Sequence, residues 1–322
     1  MKKILVLYSI LAVTISLQAQ QERHYTQFMY NKLPINPAYS GARAVPFATA
    51  IYRNQWMGFD GAPKSVLLSF NSPFITKRVG VGVTVSNFKI GLDNEFGATL
   101  AYSYDLIGRE DISLRAGIMG SIRSLSIDFS KAMTTDPAGP GGDNSLDPDK
   151  VNSFYGNVGA GLYATFAKQF YVGFSVPRIY SNNIGLNSTP GIQSAKEFQH
   201  FYVMAGAIIP LSQDLDLMPA VLTKYVKNAP FDVDLNVNLQ IKQKITAGLS
   251  YRVGGDGPGE SVDLLVFWQA HPQFGVGVAY DFSLSHVKDY TAGSIELLLQ
   301  ADLKRDDTKK PKAGMTSARF FM

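Results

Sequence analysis

Histidine is the side chain best suited to acid–base or metal chemistry near neutral pH, and the chain has four: His24, His200, His271 and His286. They are scattered, and none has a second ligand at the i+4 or paired-cysteine spacing of a zinc site. Cysteine is absent, which excludes thiolate chemistry and a disulfide frame. Asp143, Asn144, Asp147 and Asp149 gather in a Gly/Pro-rich stretch and could hold calcium. Their spacing misses the EF-hand pattern and its closing Glu, so a solvated loop is the expectation. A hydrolytic triad would need Ser, His and Asp or Asn to converge from this background. Glycine clusters such as Gly80-Val81-Gly82 fall inside strand-like segments, where they cannot serve as phosphate loops. The expectation is a non-enzyme with no cofactor and no metal.

The elements that position these residues are strands. Of 322 residues, 46% are hydrophobic and only 17% charged, with 29 Gly, 16 Tyr and 20 Phe, a composition of strands and tight turns. From Phe231 to Lys242 every odd position is apolar and every even one polar, which gives a strand one greasy and one wet face. The pattern recurs over Val79 to Ser86, Asp111 to Arg123 and Phe274 to Phe282. Met1 to Ala19 reads as a secretory signal: Lys2 and Lys3, an apolar run too short to span a bilayer, then a small residue at the cut. No later stretch has the roughly 18 apolar residues of a spanning helix.

Turn signals divide the chain into about fourteen strands, an even number in the range of bacterial outer-membrane barrels. Short connections alternate with longer ones, Lys89 to Asn94 counted among the longer. The expected fold is all-β, a transmembrane antiparallel up-and-down β-barrel in the outer membrane lipid, with short turns and both termini periplasmic. Its parts are a signal peptide (1–19), a segment at the periplasmic mouth of the lumen (20–45), the barrel (46–303) and a basic tail (304–322). Alternation alone does not say which face is greasy outward, so a soluble secreted sandwich or barrel stays open. Strands longer than nine residues favour the membrane, as do Tyr102, Tyr104, Tyr163, Tyr171, Tyr225, Tyr251, Trp268 and Tyr280, which would form aromatic girdles. The net charge of +4 matches that of residues 304–322 alone, so a nucleic-acid surface is not supported.

Several segments resemble the PorP/SprF family of outer-membrane proteins, which is associated with type IX secretion and gliding motility in Bacteroidetes. They are Gln27 to Asn31, Ile35-Asn36-Pro37-Ala38-Tyr39-Ser40-Gly41, Arg53-Asn54-Gln55-Trp56, Pro219 to Tyr225, Gly248 to Arg252, Gly277 to Asp281 and Gly293 to Leu297. The resemblance implies a non-catalytic barrel that helps export, or holds at the surface, a secreted adhesin-like protein beside other secretion components. It leaves one alternative, a channel for small hydrophobic or nutrient solutes with residues 30–41 as a lumen plug.

The residues singled out are Asn31, Asn36, Pro37, Tyr39 and Gly41 before the barrel, and Arg53, Gln55 and Trp56 at the outer end of its first strand. Pro34 and Pro37 restrict the residues before them, so the first group should be irregular and packed at or inside the periplasmic mouth. Asn31, Asn36 and Tyr39 should bond lumen-facing polar groups there. Arg53 beside Trp56 is either an interface pairing or a rim anchor with lumen hydrogen bonds.

Overall fold

In the computed structural model, the described residues are 23–43, 45–74, 78–109, 111–132, 151–184, 195–227, 229–254 and 259–303. They build a closed antiparallel barrel of fourteen wall strands. These are β1 (Phe47–Asn54), β2 (Lys64–Phe74), β3 (Val79–Ile90), β4 (Asp93–Asp105), β5 (Ile112–Ile127), β6 (Val151–Phe166) and β7 (Phe170–Val176). β8 (His200–Ala207) continues past a break at Ile208 as Ile209–Ser212, and both pieces pair with β9 (Leu215–Val226). Then come β10 (Asp232–Ile241), β11 (Ile245–Val253), β12 (Ser261–His271), β13 (Phe274–Ser283) and β14 (Ser294–Asp302). The ladder closes where β1 meets β14, from Phe47↔Asp302 to Asn54↔Ile295. Every strand pairs with its sequence neighbours, so the barrel is up-and-down.

Alternation decides which face is wet. On β10, Leu235 and Val237 are 47% and 51% exposed, whereas Asn236 and Asn238 between them are 1% and 0% exposed. Asp232, Asp234 and Gln240 are buried as well. A soluble barrel would bury the leucine and expose the asparagine, so the inverted pattern belongs to a wall with lipid outside and a polar lumen. The sandwich is thereby excluded. Of the expected girdle, Tyr102, Tyr104, Tyr225 and Trp268 do face outward. Tyr163 and Tyr171 do not: they lie on the inward parity of β6 and β7 and stack in the lumen with ring centroids 5.6 Å apart.

The expected alternation of short and long connections fails at one hairpin. β3 and β4 are joined by Gly91-Leu92 alone, since Gly91 takes φ 53 and lets both strands run on into a two-residue turn. The Asp143 to Asp149 stretch and the basic tail lie outside the described residues.

Candidate functional site

Residues 23–43 lie inside the barrel. Two prolines and the scarcity of good helix formers leave only two 3-10 turns, Phe28–Tyr30 and Pro37–Tyr39. Asn36, held extended by the proline after it, caps the second turn by accepting the Ala38 N–H on its Oδ1 at 2.9 Å. The segment runs the depth of the lumen. At one end the Arg43 Nη2 meets Asp302 at 2.7 Å, on the rim where β1 begins and β14 ends. At the other, the Arg23 Nη2 meets Glu95 at 2.6 Å, two residues from the start of β4 and near the opposite rim. Arg23 and Asp302 thus lie near opposite rims, and both chain termini, expected on the periplasmic side, lie outside the described residues.

The half of the plug nearer β1 is held by hydrogen bonds and by close backbone approach. The Asn31 amide donates to Ser69 Oγ at 2.9 Å, and the Asn36 amide donates to the Leu162 and Phe174 carbonyls at 2.9 and 3.3 Å. Ser103 and Ser175 donate to the Ser40 and Ile35 carbonyls at 2.6 and 2.7 Å. Gly41, at φ 64, donates its N–H to Asn71 at 2.6 Å. Tyr39 meets the lumen wall through its backbone, its carbonyl accepting from the Asn71 amide at 3.3 Å, while its ring packs against Tyr163 and Phe47 and its hydroxyl has no hydrogen-bond partner among the described residues. Burial pushes that hydroxyl up to about 12. The wall opposite carries glycines. A side chain at Gly80 would strike Ser40, at Gly117 Pro37 and Ala38, at Gly161 Asn36, and at Gly277 Gln27. Gly80 belongs to a glycine cluster that cannot serve as a phosphate loop, and close backbone approach is the use of all four.

Lys32 is fully buried in the same half. Its Nζ donates to the Met29 carbonyl at 2.5 Å and lies over the rings of Tyr171 and Tyr39, at 4.7 and 5.2 Å. Burial pulls this amine well below the ordinary lysine value, and the charge of Arg43 adds to the effect.

The other half is ringed by charge. Arg53 pairs with Asp281 and, at 3.2 Å, with Glu296; Arg252 pairs with Asp234 at 2.6 Å, and Lys224 with Asp232 at 2.9 Å. The collar grips the plug directly. Glu296 accepts the N–H groups of Thr26 and Gln27, both at 3.0 Å, and Thr26 donates its hydroxyl to Asp281 at 2.9 Å. His24 lies between Asp232 and Asp234, at 3.0 and 3.5 Å. Sequence reasoning missed this collar although its signal was present. Lys224, Asp232, Asp234, Arg252, Asp263, Asp281 and Glu296 all sit on the polar parity of consecutive strands, a few residues from the same rim.

Arg53 therefore belongs to the lumen and stands apart from Trp56. Gln55 and Trp56 form the start of the rim loop 55–63, where the Gln55 N–H donates to Pro63 and the Trp56 N–H to Ser294 Oγ. Of the eight residues singled out, six join the lumen and these two remain on the rim. Beside Phe28, Pro34 and Ile35 a cavity of about 110 Å³ opens between the plug and the barrel wall, with Arg23, Arg123 and Lys224 in its lining.

A family model described as type IX secretion system membrane protein PorP/SprF matches residues 17–300. The chain belongs to the PorP/SprF family. No curated protein matches it. Among solved structures, the Acinetobacter baumannii outer membrane protein Omp33 aligns with 82% of this chain and 100% of its own, at 8% identity and a TM-score of 0.48. A Pseudomonas aeruginosa FadL homologue aligns with 84% of this chain and 94% of its own, at 13% identity and 0.46. The Ralstonia pickettii toluene transporter TbuX aligns with 86% and 94%, at 10% identity and 0.48. As a PorP/SprF barrel, the protein is an outer-membrane component of type IX secretion.

Proposed function

We propose that this PorP/SprF barrel is a closed docking component that binds a secreted adhesin-like polypeptide and helps export it or hold it at the cell surface. One observation carries the reading: the lumen is occupied by the chain's own residues 23–43 from one rim to the other, which leaves the rims as working surfaces. The rim with the long loops, including Gln55 and Trp56, faces outward and meets the exported partner. The short-turn rim and the basic tail 304–322 face the periplasmic parts of the machine. No catalytic step is involved.

Deleting the gene and measuring surface display of the large secreted proteins tests this. Loss of display that returns with the intact gene supports docking, and unchanged display of every one overturns it. The cavity of about 110 Å³ beside the plug is the observation that favours the second reading, a small-solute channel. Solute uptake by the purified barrel in liposomes, with no bound protein, would select that reading.

A further inference from the structure

β6 outruns its neighbour. Its 16 residues climb about 40 Å at ~3.3 Å each and a tilt of about 40°, whereas the apolar band of such a barrel is about 25 Å tall. β7 has only 7 residues, and its ladder with β6 stops at Ala160↔Val176. The next residue is Pro177, whose backbone fills the space that a side chain at Gly159 would need on the lumen face of β6. On its other edge β6 stays paired with β5 as far as Ile127↔Val151. Upper β6 is thus a strand with one regular partner.

The loop after β7 lies along the first part of the edge that β7 leaves, with the Asn157 amide donating to the Tyr180 carbonyl at 2.7 Å and the Tyr180 N–H donating to Asn157 Oδ1 at 3.0 Å. The Ile179 N–H donates to the Val158 carbonyl at 2.9 Å, and the Asn182 amide to the Gly156 carbonyl at 3.3 Å. Backbone groups alternate in direction along a strand, so even-numbered residues point this way, and Asn152 and Phe154 are next in the series. Among the described residues, nothing bonds their edge groups. Natural edges are blunted by charge, proline or a bulge, and Asn152-Ser153-Phe154-Tyr155 has neither charge nor proline. Phe154, at 78%, is the most exposed large apolar side chain among the described residues, and Tyr180 nearby is 62% exposed.

We infer that this edge is a strand-addition site: an extended segment of the exported polypeptide pairs with Asn152 and Phe154 and lays an apolar side chain against Phe154. The inference rests on the docking reading above. Main-chain pairing supplies the affinity, and the two exposed rings supply selectivity.

A photo-crosslinking benzoylphenylalanine at Phe154, with one at Phe59 in the rim loop as control, tests it in the native membrane. The expected crosslink at position 154 is to a secreted polypeptide, and Asn152→Pro lowers its yield roughly tenfold by removing one edge donor while sparing the β5 ladder. Crosslinks only to lipid, to a second copy of the barrel or to its own loops overturn the proposal. Cells complemented with Asn152→Pro or Phe154→Ala, each checked for folding by heat-modifiable migration, separate the two readings. Normal display with both folded variants, where cells lacking the protein have lost it, overturns the edge alone. Normal display in cells lacking the protein overturns both.

Discussion

The carboxamide of Asn36 occupies the space that a side chain at Gly161 would need, and from there it donates to the carbonyls of Leu162 and Phe174. Plug and wall were therefore shaped together, a glycine on one side answering an amide on the other. Gly161→Val should displace the amide and destabilise the folded barrel by about 2 kcal/mol through overpacking. Gly120→Val, where nothing lies within 4 Å, should be neutral. Thermal unfolding in detergent, followed by circular dichroism, compares the two; equal midpoints would mean that the glycine at 161 makes no room for the plug.

Substitutions at Asn36 itself separate its two roles. Alanine removes the donor to two carbonyls and the acceptor of the Ala38 N–H, at a cost of about 2–4 kcal/mol for buried polar groups left unbonded. Aspartate keeps the acceptor but turns a negative charge toward the Leu162 and Phe174 oxygens, so Asn36→Asp should be worse than Asn36→Ala. Tryptic cleavage after Arg23 and Lys32 in the folded barrel reads the loosened plug, and the expected order of rates is wild type, alanine, aspartate.

The barrel was legible because period two does not depend on which face is wet: fourteen strands follow from alternation and turn residues alone. The lumen was not legible to the same degree. Asn31, Asn36, Pro37 and Gly41 stand out because proline, a capping amide and a left-handed glycine act locally. Arg53 and Glu296 are 243 residues apart, and only closure of β1 on β14 brings them together. Tyr163 and Tyr171 were misassigned to the girdle because an aromatic near a strand end serves either face, and parity with Gly161 and Gly173 was the signal that decides it.

The collar should show the asymmetry of buried ion pairs. Arg53→Met leaves Asp281 and Glu296 without their guanidinium partner and should cost about 3–5 kcal/mol. Adding Asp281→Asn and Glu296→Gln should return much of that loss, since the burden is the unpaired charge rather than the missing attraction. Three unfolding curves suffice, and a triple variant no more stable than Arg53→Met would contradict the pairing.

Lys32 carries a pH dependence of known sign. Burial lowers its amine in the folded protein, while the unfolded chain keeps the ordinary value of 10.5. Between those two values the unfolded state binds more protons, so stability rises with pH across the window and the residue costs stability at neutrality. Lys32→Met removes the titrating amine and with it this rise, so its unfolding midpoint relative to the wild type's should gain most at the low end of that window. The gain should shrink as pH approaches 10.5, and a pH-independent gain would rule out the amine as its source.

Closure by the plug predicts electrical silence. With residues 23–43 seated against the wall glycines and tied to both rims, the purified barrel in a planar bilayer should carry no steady current. Deleting residues 23–43 leaves a wall of fourteen strands with a polar lumen, a size that encloses a water-filled pore, and should give stable conductance. If the deletion prevents folding, Asn31→Ala combined with Asn36→Ala loosens the plug with the chain intact and should produce flickering openings. Steady current through the unaltered protein would show that a path runs past the plug, and would move the reading from docking toward transport.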